Sequence, residues 1–415
     1  MNVKVKIVLF TYLASGSAIA CLTLLVFGLA HFNIMRITDS NDTLESFGMS
    51  LFFVSISSIV LNIIGGYLSD QLNKKFGTRF KFILLMQIIG TTSLVIFSFS
   101  ESLITFTISW VLIKWSFSNI HSSYIALLPV NFNKLEINKI NSILMSSTPL
   151  FLIIFSLLIF GVLSNVHITL KLIYLCLIQL FIGIISIISL SKQTNVIHQP
   201  RIFESNKSFG LSQTHMNKRR FRIIFLTRLF YHLACSGLMI MPFLYMNRFN
   251  LNEASVSEIN AYSTLGVLLL CFFGYISGFL KNKILLSKIS IISISFYFLL
   301  ISYSNEYLFT FWATIIFNIF NGILIAVING FSINSLPDEE FLARDISIIN
   351  LTYPIASLIM SAIISNYKSI PTFGNHDGYF TLFFICSILS IVTLLLIFSY
   401  ENIVKKYKNN YSPPS

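Results

Sequence analysis

Long apolar stretches separated by short polar turns dominate the pattern of this chain. Twelve such blocks lie at 6–31, 46–69, 81–100, 103–129, 143–164, 168–191, 222–246, 258–280, 284–303, 308–333, 346–366 and 378–400. A helix needs about 20 apolar residues to cross the hydrocarbon core of a bilayer. Inside lipid every backbone polar group must be satisfied within the segment, so each block is expected to be a transmembrane helix. The pattern predicts an all-α polytopic membrane protein of twelve transmembrane helices.

The blocks fall into two similar sets. Gly66-Tyr67-Leu68-Ser69-Asp70 recurs as Gly274-Tyr275-Ile276-Ser277-Gly278, and Leu128-Pro129 recurs as Leu336-Pro337. Both pairs are 208 residues apart, close to half of the 415-residue chain. One offset shared by two motifs predicts two six-helix pseudo-repeats of the kind that build transporters. The expected organisation is an N-terminal bundle over 1–191, a polar cytoplasmic linker over 192–221, a C-terminal bundle over 222–400 and a tail over 401–415, the last expected to be disordered.

Composition sharpens this picture. Hydrophobic residues make up 55% and charged residues 11%, a balance that excludes a water-soluble domain of this length. The net charge of +12 raises the question of a nucleic-acid partner, but its distribution answers it. With the turns assigned alternately to the two sides, 22 of the 28 Lys and Arg fall on the side of the termini, 4 on the other and 2 inside helices. The positive-inside rule then puts both termini in the cytoplasm, and no nucleic-acid partner is expected. The first block follows Lys4 and Lys6 and is read as an uncleaved first helix rather than a secretory signal. The linker carries Lys192, Arg201, Lys207, Lys218, Arg219 and Arg220, a solvated basic loop that could also meet anionic lipid. No GxxxxGK[ST] loop is present, so transport would draw on an ion or solute gradient. The five cysteines, Cys21, Cys176, Cys235, Cys271 and Cys386, are scattered through the apolar blocks and read as packing residues. No cofactor or metal is expected, and the chain is expected to be monomeric. The wealth of Phe, Ile, Asn, Lys and Ser fits an AT-rich gene of bacterial origin, hence a bacterial cytoplasmic (inner) membrane.

After the second block the chain runs Gly66-Tyr67-Leu68-Ser69-Asp70, then Lys74-Lys75-Phe76-Gly77-Thr78-Arg79-Phe80-Lys81. An acidic residue ending a helix, followed by a basic turn with a glycine, resembles the helix 2 to 3 signature of the major facilitator superfamily. The longer spacing with a Phe-Gly-x-Arg core, and Tyr124-Ile125-Ala126-Leu127-Leu128-Pro129 at the end of the fourth block, are similar to the glycoside-pentoside-hexuronide branch. The chain as a whole also resembles exporters that accompany microcin C biosynthesis, a likeness that no motif carries. Physically, Asp70 among Lys74, Lys75, Gly77 and Arg79 is expected to hold a loop or helix end in one conformation and release it in another. A static salt bridge at the end of the helix is the alternative. Gly278 replaces Asp70 in the second half, so such a gate would be asymmetric.

Ionisable groups deep in a span are costly and mark substrate, coupling or pairing sites. Lys114 lies near the middle of the fourth block and shares a helical face with Ser118 and His121. In the seventh block Arg228, Tyr231, His232 and Cys235 follow an i, i+3, i+4, i+7 pattern, although Arg228 is close enough to the cytoplasmic end to snorkel there. The tenth block adds Asn318, Asn321 and Asn329, the first Tyr12 and Ser15, and the eleventh Asn350 and Tyr353. The resemblance implies that helices 1, 4, 7 and 10 line a central cavity. The candidate substrate-binding residues are therefore Lys114, Ser118, His121, Arg228, Tyr231, His232, Asn318 and Asn321. All 16 acidic residues fall in turns or near helix ends, whereas the resemblance implies buried carboxylates in a sugar-cation symporter.

The resulting expectation is a secondary active transporter of a small polar or anionic organic solute, working by alternating access and driven by a proton or other ion gradient. The preferred direction is export of an antibiotic or peptide-like compound. The alternative is a cation-coupled sugar or glycoside importer, supported by the form of the Asp70 to Lys81 loop. An intramembrane enzyme would need paired acidic groups in spans or a His-Glu-x-x-His helix, and neither is present. A sensor or immunity protein that keeps a transporter fold is the remaining class.

Overall fold

The computed structural model describes residues 3–38, 42–76, 78–128, 146–191, 211–277, 282–335, 348–367 and 377–410, together with Phe132, Ile140 and Leu144. The described chain is helical and contains no strand. Its helices are α1 (Val3–Leu24), α2 (Ala30–Met35), α3 (Thr43–Phe76), α4 (Phe80–Ser98), α5 (Leu103–Ile125), α6 (Ser147–Ser156), α7 (Ile168–Ser191), α8 (Leu211–Ser236), α9 (Met241–Asn247), α10 (Glu253–Ser277), α11 (Lys283–Tyr303), α12 (Tyr307–Asn334), α13 (Thr352–Ile364) and α14 (Gly378–Asn410). A π-helical turn, Leu25–Leu29, joins α1 to α2, and a 3₁₀ turn, Gly237–Ile240, joins α8 to α9. Each pair therefore makes one interrupted span.

Among the described residues nine helices are long and apolar enough to cross a membrane, and Ser147–Val162 and Ile348–Ile364 are shorter apolar helices. With the 25-residue α10 they make the twelve spans that the pattern predicts.

Several helices run beyond their apolar blocks. Helix α3 continues through Asp70 and Lys74 to Phe76, because no Gly or Pro falls between Asp70 and Gly77. Helix α8 begins at Leu211, inside the polar stretch 192–221. Helix α14 continues to Asn410, where the sequence led us to expect disorder from Glu401 onward. There Glu401 pairs with Lys288 of α11 and, at 2.8 Å, with Lys405 one turn along its own helix, which supports the extension.

The chain divides into two units. The first comprises Met1–Glu204, Met239–Leu268 and Ser361–Tyr367, the second Ser205–Leu238, Leu269–Met360 and Lys368–Ser415. In the first unit α1 packs on α5, α6 and α7, while α5 also packs on α3 and α4. The middle of α1 is buried nearly all round and is built of small residues, Ala14, Ser15, Gly16, Ser17, Ala18, Ala20 and Cys21. Between lipid-embedded helices such residues let backbones approach, which is where packing energy is gained.

Two π turns meet in this unit. A Cβ on Gly28, in the turn Leu25–Leu29, would lie 2.4 Å from the Phe160 ring, which belongs to the π turn Leu157–Val162 after α6. Any side chain there would have to displace that ring. Just beyond, the fully buried His31 donates from Nε2 to the Met239 carbonyl at 2.6 Å. The two are 208 residues apart, the offset of the sequence repeat. The rings of Phe47 and Phe243 lie 4.2 and 4.7 Å from the imidazole, and Trp110 extends the cluster from Phe47 to edge-on contacts with Phe97 and Phe106. The interruption at Gly237–Ile240 suits this contact, since Pro242 at the start of α9 has no N–H to return to the Met239 carbonyl three residues before it.

In the second unit α8 packs on α12 and α14, and α11 on α12 and α14. The Tyr297 and Phe317 rings pack 4.4 Å apart, tilted by 31°, between α11 and α12. Ser295 and Ser387 bond each other's carbonyls across α11 and α14 at 3.1 and 2.9 Å. Hydroxyls used this way join helices where apolar association alone gives no preference over lipid.

Candidate functional site

Each unit holds candidate polar residues that include a cation within an apolar block. In the first unit α5 is unbroken from Leu103 to Ile125, so Lys114, Ser118 and His121 lie along one face, as their spacing predicts. Lys114 is only 7% exposed, yet it makes no hydrogen bond or ion pair with any described residue. Ser118 is half-buried, and its carbonyl takes the Ser122 hydroxyl at 2.9 Å. His121 is tied at Nδ1 to the Ser15 hydroxyl of α1, 2.6 Å away. One turn earlier in α1, Tyr12 meets Ser146 at 3.2 Å, just before α6. The sequence placed Tyr12 and Ser15 on the first helix and His121 on the fourth; the fold brings Ser15 and His121 together.

In the second unit Arg228 of α8 reaches α12. Its Nη1 donates to Asn329 Oδ1 at 2.8 Å and to Ser332 Oγ at 3.3 Å. One turn on, the Tyr231 hydroxyl donates to Asn321 Oδ1, also on α12. His232 and Tyr353 of α13 pack at right angles, with ring centroids 5.7 Å apart and planes at 89°. Asn318 instead returns its amide to its own helix, donating to the Thr314 carbonyl at 3.0 Å. Of the predicted residues, then, Arg228 and Tyr231 each bond across to α12, Tyr231 through Asn321, His232 stands beside Tyr231, and Asn318 does not take part.

Ser332 and Tyr353 complete this cluster. Tyr353 was visible in sequence as a polar position of the eleventh block. Ser332 carried no signal beyond its place one turn after Asn329. His31 was missed altogether, because a single histidine in an apolar block shows no periodic pattern.

The gating residues are described only in part. The side chains of Asp70, Lys74 and Cys271, and Gly77 as a whole, lie outside the described residues, as do Gly278, Pro129 and the Leu336-Pro337 pair. Lys75 is exposed, with its ammonium 5.6 Å from the Phe76 ring centroid, and Lys81 lies over the same ring at 3.9 Å. Arg79 is half-buried and sits at the N-cap of α4. Among the described residues no group of three His, Cys, Asp or Glu side chains could hold a metal ion.

The sequence profile of the Major Facilitator Superfamily matches residues 8–361. The chain belongs to this family. Its fold is similar to that of the human organic anion transporter MFSD10, with a TM-score of 0.63 at 11% identity, covering 96% of this chain and 100% of that one. It is also similar to the nucleoside transporter NupG in two structures. One, of a point mutant, has a TM-score of 0.65 at 14% identity over 97% of this chain, and the other 0.62 at 15% over 98%, each covering 100% of the NupG chain. No curated protein sequence matches the chain. Membership in the Major Facilitator Superfamily makes the protein a multi-pass secondary transporter rather than an enzyme, with a twelve-helix fold that handles a small-molecule substrate.

Proposed function

We propose that this Major Facilitator Superfamily protein moves a small organic solute carrying negative charge, by alternating access of the halves 1–191 and 222–400, with net export linked to a proton gradient. The observation that carries the charge of the solute is Lys114, an ammonium 7% exposed on a polar helix face with no described partner. A buried charge without a partner is unfavourable, and an anionic substrate is the partner that would relieve it. The organic anion transporter among the solved relatives is a member of the same fold that takes such a substrate. His121, bonded to Ser15, is the titratable group assigned to proton coupling in this reading.

The distribution of Lys and Arg supports both termini in the cytoplasm, the wealth of Phe, Ile, Asn, Lys and Ser supports a bacterial cytoplasmic membrane, and a monomer is sufficient for the mechanism. Asp70, Lys74, Lys75, Gly77 and Arg79 are assigned to gating rather than to substrate. The competing reading, cation-coupled uptake of a sugar or glycoside, draws on the form of the Asp70 to Lys81 loop. The absence of carboxylates from the interior of the apolar blocks argues against it.

The test is solute accumulation in inverted vesicles, with an anionic nucleotide-peptide and a neutral glycoside as probes, with and without a proton gradient. Gradient-driven accumulation of the anionic compound, lost in Lys114→Ala, supports the proposal. Glycoside transport that ignores Lys114→Ala overturns it.

A further inference from the structure

The Arg228 guanidinium has five N–H donors in one plane. The two on Nη1 are taken, by Asn329 Oδ1 at 2.8 Å and Ser332 Oγ at 3.3 Å. Ser332 donates its own hydroxyl proton to the Ile328 carbonyl at 2.8 Å, so toward Arg228 it can act only as an acceptor. Asn329 and Ser332 stand three residues apart on one face of α12. They hold Nη1 at two points, which fixes the plane of the whole group.

The opposite edge is left open. Nε is buried with no hydrogen-bond partner, and Nη2 makes no hydrogen bond with any described residue. No described carboxylate pairs with Arg228 either. The Nε and Nη2 protons point the same way and match the two oxygens of a carboxylate or phosphate. A buried donor left unmade is unfavourable and calls for a partner. Snorkelling toward the membrane surface does not account for the geometry, because the charged head is tied to a neighbouring helix.

We infer that the Nε/Nη2 edge of Arg228 is a bidentate oxyanion subsite, with Asn329 and Ser332 as positioning residues that aim it. The inference rests on the reading of an anionic solute and narrows it to an organic carboxylate or phosphate ester. Tyr231 and His232, on the next turn of α8, with Tyr353 packed at right angles to His232, give the body of such a ligand an aromatic surface.

The test uses the full-length protein in detergent or nanodiscs, with benzoate, phenyl phosphate and neutral benzamide as probes. Half-maximal thermal stabilisation gives an apparent Kd. Benzoate or phenyl phosphate should stabilise the parent while benzamide does not, and the stronger of the two identifies the oxyanion. Arg228→Lys, which keeps the charge but loses the fork, should weaken that binding on the order of 10- to 100-fold.

The deciding variant is Asn329→Asp. It preserves the tether and adds an ion pair, so a purely structural Arg228 would leave binding unchanged in a more stable protein. An oxyanion subsite would instead lose affinity in that more stable protein, because its guanidinium is already neutralised. Oxyanion binding that survives both variants but disappears in Lys114→Met overturns the subsite and leaves the anionic-solute reading standing. If neither oxyanion stabilises the parent, both fall.

Discussion

Lys114→Met separates a functional ammonium from a structural one, because the two roles predict opposite changes in stability. The side chain is 7% exposed and makes no hydrogen bond or ion pair with described residues. Methionine fills a similar volume without the charge. Replacing buried ionic groups by apolar ones of similar size is neutral or stabilising by about 1–4 kcal/mol, so the variant should melt at or above the parent temperature. The same change removes a charge-assisted contact to an anionic solute. At about 1.5–3 kcal/mol that weakens apparent affinity by a factor of about 10 to 150. The assay pairs a melting curve of the purified protein with the concentration dependence of vesicle transport. A variant that melts well below the parent yet transports with parental affinity would refute the reasoning and make the ammonium part of the scaffold.

Ser15→Ala and His121→Ala should impair transport to a similar degree, and the double variant should be little worse than either, because the two side chains share one hydrogen bond; additive losses would mean that they act separately. Gly28→Val should lower the yield of folded protein, since its Cβ would sit 2.4 Å from the Phe160 ring, and Phe160→Ala in the same chain should restore it if the clash is the cause. Asp70→Asn should slow turnover with little change in apparent affinity, read from initial rates across a solute titration; an affinity loss at unchanged turnover would contradict the gating assignment.

The sequence by itself determined the spans. A run of some 20 apolar residues has no stable state in lipid other than a helix, so the twelve blocks and the resemblance to the major facilitator superfamily were legible without coordinates. Helix ends were less so: α3, α8 and α14 run into polar sequence, where nothing local breaks a helix and a partner such as Lys288 at Glu401 keeps it wound. Helical periodicity also placed Lys114 with His121, and Arg228 with Tyr231, because residues on one helix face share a fixed angular spacing. What lies across from a face is set by packing between segments far apart in the chain, which periodicity does not encode. Only the tertiary structure decided that His121 has Ser15 as its partner, that His31 reaches the Met239 carbonyl through a broken helix, that Arg228 is tethered by Asn329 and Ser332, and that Lys114 has no partner among the described residues. The difference between the two cations is the clearest case. Both are isolated basic residues in apolar blocks, and only their neighbours on other helices distinguish a tethered guanidinium from an unpaired ammonium.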